Sequence, residues 1–268
     1  MVHFDPFLDG PTAFLIEGNE LYFSHKNEAL GPASSPAVNL IQGLFQKYPE
    51  SARRILRNRI FLTYPPGEMC VGMIKVVGKR YAFVSENDLV FAETFLNATK
   101  IEYYHNNSGS FDGGESIAVL GENCRTDEDY IRLTWELAKK SSKNGQTHQH
   151  DRSVGAILVS SENKILCASW NTNSENKTLH AEVNLIQSYC SGTGNKILAG
   201  TRIFTSLKPC IMCAGMIWDT AESPDKISVC YFEHDNGRFA RETILNSKIR
   251  TTSNGLSHGI LEVQFNSK

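Results

Sequence analysis

The chain has 268 residues, 41% of them hydrophobic and 21% charged, with a formal net charge of −2 at pH 7. That is enough chain for two domains with cores of their own, and the balanced charge excludes the global cationic field of a non-specific polyanion binder. Seven cysteines, an odd and sparse set, fit a reducing compartment rather than a disulfide scaffold. No run approaches the about 18 continuous apolar residues of a membrane span. The opening "MVHFDPFLDG" has no basic n-region and no apolar run, so no signal peptide is expected and a cytoplasmic location is.

In chain order, "AFLIEGNELYFSHKN" from Ala13 reads as a strand pair ending at Asn27, and "SPAVNLIQGL" from Ser35 as a helix. "ARRILRNR" follows, with Arg53, Arg54, Arg57 and Arg59 in one cluster. A basic cluster is either a phosphate-contact surface or a solvated helix face. "RIFLTYPPGEMCVGMI" reads as a strand and then an apolar helix. After the loop "NNSGSFDGGE" and the strand-like "SIAVLG", the helix "DEDYIRLTWELAKKS" begins near Asp127.

From there the pattern repeats. "SVGAILVS" and "KILCASWN" are strands, "HAEVNLIQSYC" a helix, "TRIFTSL" a strand, "PCIMCAGMIWDT" an apolar helix and "KISVCYF" a strand. "GRFARETILNS" reads as a further helix and "GILEVQF" as a last strand. The pentapeptide V-N-L-I-Q occurs at Val38–Gln42 and again at Val183–Gln187. Arg59–Ile74 and Arg202–Ile217 share nine of sixteen ungapped positions at an offset of 143. Matches in one order at nearly one offset imply duplication of a domain-sized unit. The expected division is residues 1–122 and 123–268. Each unit mixes strands with packed helices, which gives a three-layer α/β/α sandwich with a mixed sheet, present as a tandem duplication.

The second copy carries the chemistry. Cys210 and Cys213 are three apart and share one helix face, just after Pro209, which suits a helix start. His180 opens another helix, with Glu182 two residues on. Two thiolates and an imidazole are strong zinc ligands, and three of them leave a position open for water, as in a catalytic site. Bound zinc brings the water pKa from ~16 towards ~7, and Glu182 is then the natural proton carrier. A fourth ligand from Cys167, Cys190, Cys230 or His234 would instead close a structural site.

H-A-E, twenty-six residues (Val183 to Lys208) and then P-C-x-x-C resemble the zinc-dependent cytidine deaminase-like superfamily. "SVGAILVSSENKILCASWN" and "PCIMCAGMI" resemble its tRNA adenosine deaminase branch. The resemblance implies zinc held by His180, Cys210 and Cys213, with Glu182 as the catalytic proton shuttle. It implies Asn171 bonding the base or sugar, the Ala181 backbone facing the base, and Asp235 at the rim near nucleic acid. The implied reaction is hydrolytic deamination of a nucleobase by zinc-activated hydroxide, on single-stranded or looped nucleic acid, with adenine the nearest precedent. Two features depart from that branch: Lys208, either a phosphate-contact cation or a solvated strand end, stands where a glutamate is usual, and "GILEVQFNSK" replaces a long helix.

Aligned on the repeat, His180 becomes Ser35, Glu182 becomes Ala37 and Cys210 becomes Gly67, leaving Cys70 opposite Cys213. The first copy therefore reads as a degenerate deaminase and a built-in partner, an intramolecular pseudo-dimer, with a further homo-oligomer left open. Two alternatives stay open: a deaminase of a free nucleobase, nucleoside or nucleotide, and a non-catalytic zinc-containing regulatory or binding subunit.

Overall fold

The computed structural model describes residues 10–78, 80–84, 97–106, 110–112, 124, 126–143, 152–247, 250–251, 257–258 and 262–264. The strand expected at "SIAVLG" lies outside them. Strands β1 (Ala13–Glu17) and β2 (Glu20–Ser24) form the first hairpin. Helix α1 (Pro36–Lys47), the short α2 (Ala52–Ile55), strand β3 (Ile60–Leu62), helix α3 (Glu68–Val77) and strands β4 (Tyr81–Phe83) and β5 (Asn97–Lys100) follow. Strand β6 (Ser110–Asp112), helix α4 (Asp127–Lys143) and strands β7 (Gly155–Val159) and β8 (Ile165–Trp170) come next. Helix α5 (Ala181–Thr193), strand β9 (Arg202–Leu207), helix α6 (Ile211–Thr220) and strand β10 (Ser228–Glu233) complete the repeat.

The repeat read from sequence is a repeat of topology. One sheet runs β4-β3-β1-β2-β5, and the other runs β11-β10-β9-β7-β8-β6, where β11 is Glu262–Gln264. The segment β4-β3-β1-β2 has the order of β10-β9-β7-β8. It also has the same strand senses: an antiparallel hairpin, an antiparallel neighbour, then a parallel strand reached through a helix. Both sheets are thus mixed, and the α/β architecture in two copies is as expected. One strand crosses between them: β6, which precedes residue 122, pairs antiparallel with β8 of the second sheet.

Side-chain alternation explains the layering. In the second sheet Ala156, Leu158, Cys167, Ile203 and Val229 face one core, while Ile157, Val159, Ala168, Phe204 and Cys230 face another. The latter core is covered by α4 through Tyr130, Ile131 and Leu137. The former is continuous with the first copy: it holds Ala13, Leu15, Ile60 and Leu62 of the first sheet and apolar residues of α1, α3, α5 and α6. The four helices therefore lie between the two sheets and share one core.

V-N-L-I-Q serves this arrangement twice. Val38, Leu40 and Ile41, like Val183, Leu185 and Ile186, are fully buried. Asn39 donates to Ser24 Oγ at 2.6 Å and to the His25 carbonyl at 2.9 Å, and Asn184 donates to the Trp170 carbonyl at 2.8 Å. Each asparagine ties its helix to the end of the second hairpin strand.

The helices α3 and α6 meet almost backbone to backbone. A Cβ on Gly72 would lie 2.4 Å from the Ile211 carbonyl oxygen, and one on Gly215 would lie 2.3 Å from that of Glu68. At the offset of 143, Gly72 matches Gly215 and Glu68 matches Ile211. The contact is isologous, as between the subunits of a twofold dimer.

The helix expected over "GRFARETILNS" is corrected: only Ile244–Ser247 is helical. The preceding residues turn instead, with Ala240 N–H donating to the Gly237 carbonyl at 3.0 Å. The Phe239 carbonyl accepts the Ile211 N–H at 2.7 Å. A free N–H at the start of α6 outcompetes the local helix. Among the described residues no helix is long and apolar enough to cross a membrane.

Candidate active site

Two helix starts build the site. His180 is the N-cap residue of α5 and Cys210 that of α6, both in extended conformation, with Cys213 one turn into α6. The loop carrying His180 is fixed locally. Asn176 Oδ1 accepts from the Thr178 N–H at 3.1 Å and its hydroxyl at 2.7 Å, and Thr172 N–H donates to the Leu179 carbonyl at 3.0 Å.

His180 Nδ1 stands 3.6 Å from Cys210 Sγ and 3.5 Å from Cys213 Sγ, and the two sulfurs are 3.6 Å apart. Ligands about 2.0–2.3 Å from one tetrahedral zinc are separated by ~3.5–3.8 Å. The triangle has that size, and the donor set is one zinc accepts. Cys167, Cys190, Cys230 and His234 stand outside the group, so among the described residues no fourth ligand closes it. The Cys210 thiol is held well below its ordinary range, chiefly by the hydrogen bond it shares with Cys213 and further by His180. That favours the thiolate, the form that binds metal.

Glu182 is 3% exposed, with Oε2 3.4 Å from Cys213 Sγ. Burial pushes its carboxyl up to about 7, against the opposing pull of His180. A carboxyl there can hold or release a proton near neutrality.

His180, Glu182 and Cys210 open into a cavity of about 630 Å³, with Cys213 buried behind them. Asn171 and Asp235 line it. The Asn171 amide is engaged within the protein: Oδ1 accepts from the Val154 N–H, and Nδ2 donates to the Arg152 carbonyl and Asn173 Oδ1. Asp235 accepts from the Gly237 N–H at 2.8 Å and faces Arg152 at 3.9 Å. Ala181 is fully buried, and its carbonyl accepts the Ser169 hydroxyl at 2.6 Å.

Sequence reading missed Arg152, Asn173, Lys177 and Val76 as lining residues. Asn173 lay two residues from Asn171 in "WNTN". The others carried no local signal. Lys208, read as either a phosphate-contact cation or a solvated strand end, is 7% exposed and lines the cavity, its ammonium 6.0 Å from the Tyr231 ring centre. The solvated strand end is thereby corrected, because Lys208 N–H pairs with the Glu233 carbonyl and the residue is held under β10.

The equivalent place in the first copy is filled differently. Cys70 Sγ donates to Ser35 Oγ at 3.1 Å and meets the Tyr64 hydroxyl at 3.6 Å, and that hydroxyl accepts the Ala37 N–H at 3.1 Å. Where Cys210 would align, Gly67 leaves room for Asp219 of the second copy. A Cβ there would lie 2.4 Å from Asp219 Oδ2, which accepts the Met69 N–H at 2.8 Å. This is a carboxylate cap on the N-terminus of α3.

Residues 145–254 match the family model of the Bd3614-like deaminases. The match falls on the copy that holds His180, Glu182, Cys210 and Cys213. This deaminase-like unit is also 32% identical over 93 residues to a tRNA-specific adenosine deaminase of Haemophilus influenzae, covering 34% of this chain and 51% of that one. With the enzyme of the same name from Bacillus subtilis the identity is 32% over 92 residues, or 34% and 54% of the two chains. With that of Buchnera aphidicola it is 25% over 122 residues, or 45% and 77%. The chain thus spans about half the length of the first of these relatives (51%). A solved tRNA:A34 deaminase aligns over 52% of this chain and 98% of its own, at 22% identity and a TM-score of 0.36. A guanine deaminase from Nitrosomonas europaea aligns over 60% and 91%, at 14% identity and a TM-score of 0.38. The superfamily and branch expected from H-A-E and P-C-x-x-C are the ones the comparisons find.

Proposed function

We propose that the second unit, taken as residues 123–268, is a hydrolytic deaminase of a nucleobase in unpaired nucleic acid, and that residues 1–122 form a degenerate companion. The observation that carries this is the triangle of His180, Cys210 and Cys213 beside a buried Glu182 that lines a cavity with room for a base and more. The three would hold zinc, which when bound supplies the Lewis acidity that makes water a nucleophile at neutral pH.

In the reaction water adds to the amine-bearing ring carbon, the C–N bond breaks, ammonia leaves and a carbonyl remains. Glu182 takes one proton from water and delivers it to the ring nitrogen, then takes the second from the added hydroxyl as it becomes the carbonyl and passes it to the departing amine. Val154 and Leu207 offer apolar wall for a flat base, while Arg152, Lys177 and Lys208 bring three cations to the same cavity. A chain of net charge −2 that concentrates cations at this point is suited to a phosphate-bearing substrate. Adenine in RNA is the first candidate, since the relatives above are named for it, and a cytoplasmic setting goes with it. Asn171, Asp235 and the Ala181 backbone would position the base. Asn171 would do so through the lone pair left on Oδ1, or by exchanging a present partner.

Turnover of unpaired oligonucleotides and of matching free nucleosides, followed by mass, tests the reading. Faster turnover of the oligonucleotide, weakening as salt rises, is expected. Equal rates without salt dependence would assign a free nucleobase or nucleoside instead.

A further inference from the structure

The contact between α3 and α6 is reciprocal, so each helix presents the same position to the other copy's site. Asp219, near the end of α6, reaches the start of α3 and caps it at Met69, in the place vacated at Gly67. The residue that matches Asp219 at the offset of 143 is Val76, near the end of α3. Val76 lines the cavity of the second copy, together with Cys210, the match of Gly67. One geometric relation therefore joins Asp219 to the vestigial site and Val76 to the candidate active site. The chemistry differs on the two sides: a carboxylate where no metal ligands remain, an aliphatic side chain where they do.

We infer that the degenerate copy supplies a wall of the substrate cavity, and that Val76 is a specificity-determining residue which limits what fits beside Cys210. The backbone contact fixes this wall. Neither Gly72 nor Gly215 has room for a Cβ, so α3 cannot shift along α6 without separating the copies. Val76 is half-buried, with its cavity side open, whereas its neighbour Lys75 points to solvent. The apolar character also suits the site, because a carboxylate in the same position would bring a further acidic group towards Glu182, Cys210 and Asp235. The first copy is thus part of the site, and its loss would leave the cavity open on that side. The inference deepens the proposed function and rests on it for the substrate, but not for the wall.

The test uses the full chain with Val76→Trp, Val76→Ala and the control Lys75→Trp. Access to the cavity is read without substrate, as the rate at which iodoacetamide alkylates Cys210 in metal-free protein. In zinc-loaded protein it is read as the rate of zinc transfer to a chromogenic chelator. Val76→Trp should slow both several-fold, Val76→Ala should speed them, and Lys75→Trp should leave them unchanged, with melting temperatures recorded alongside. Should the tryptophan variant fail to fold, the alanine variant carries the result. Rates in both Val76 variants equal to the parent would overturn the inference. With any substrate the parent turns over, Val76→Trp should raise KM more than it lowers kcat. A parent that deaminates nothing, with access still governed by residue 76, would remove the proposed function and leave the wall standing.

Discussion

Gln42 and Gln187 donate to each other: Gln42 Nε2 to Gln187 Oε1 at 3.1 Å, and Gln187 Nε2 to Gln42 Oε1 at 2.7 Å. Both are fully buried. They are the last residues of the two V-N-L-I-Q segments, so a sequence repeat becomes a reciprocal amide pair where the copies meet. Replacing one with leucine strands the other buried amide, which costs about 1–3 kcal/mol. The double variant Gln42→Leu/Gln187→Leu removes both and should be more stable than either single change. Urea denaturation of the four proteins gives the coupling. Additive losses would mean that the pair does not act as a unit.

Gly72→Ala and Gly215→Ala should each destabilise the chain by about 1–3 kcal/mol through overpacking against backbone that cannot yield. The readout is the melting temperature. A Gly67→Cys change should also destabilise, because its Cβ meets Asp219. Adding Asp219→Val, which copies the Val76 side of the relation, should recover part of that loss. Unchanged melting in Gly67→Cys would contradict the close approach.

Residues 1–122 should be needed for a well-behaved protein. The core that α5 and α6 share with α1 and α3 would lie open in a fragment beginning at Asn123, and large exposed apolar faces drive association. Size-exclusion chromatography should show the fragment aggregated and the full chain discrete. A monomeric, active fragment would make the first copy a passenger.

Much of this was legible in the sequence, for local reasons. The short apolar run of "SVGAILVS" and the apolar run after Pro209 fix strand and helix within a few residues of their observed bounds, because each is buried along its length. The spacing of H-A-E and P-C-x-x-C announced the grouping of His180, Cys210 and Cys213 because both motifs open helices. What was not legible depended on distant partners. "GRFARETILNS" has helical periodicity but gives up its first turns to cap α6. Lys208 looks like a strand end, and only the tertiary path of β10 buries it. Val76 is an ordinary helix residue until the copies are docked.

Metal analysis of the full chain should find one tightly held zinc, from three ligands in the second copy against one thiol in the first. Cys210→Ser should lose it, and Cys70→Ser, whose thiol partners Ser35 and Tyr64, should keep it. Two zincs per chain would contradict the reading of the vestigial site.

Glu182 offers the most direct measurement of the central claim. The parent protein and Glu182→Ala are incubated, zinc-loaded, with unpaired RNA and DNA oligonucleotides and with free nucleosides. Mass spectrometry then follows the gain of about one dalton that marks amine-to-carbonyl exchange. The account predicts this gain on an unpaired base with the parent protein. It also predicts that Glu182→Ala keeps its zinc and its melting temperature while turnover falls by ~10²–10⁴-fold. A Glu182→Ala protein that deaminates at the parent rate, or a zinc-loaded parent that alters none of these bases, would contradict it.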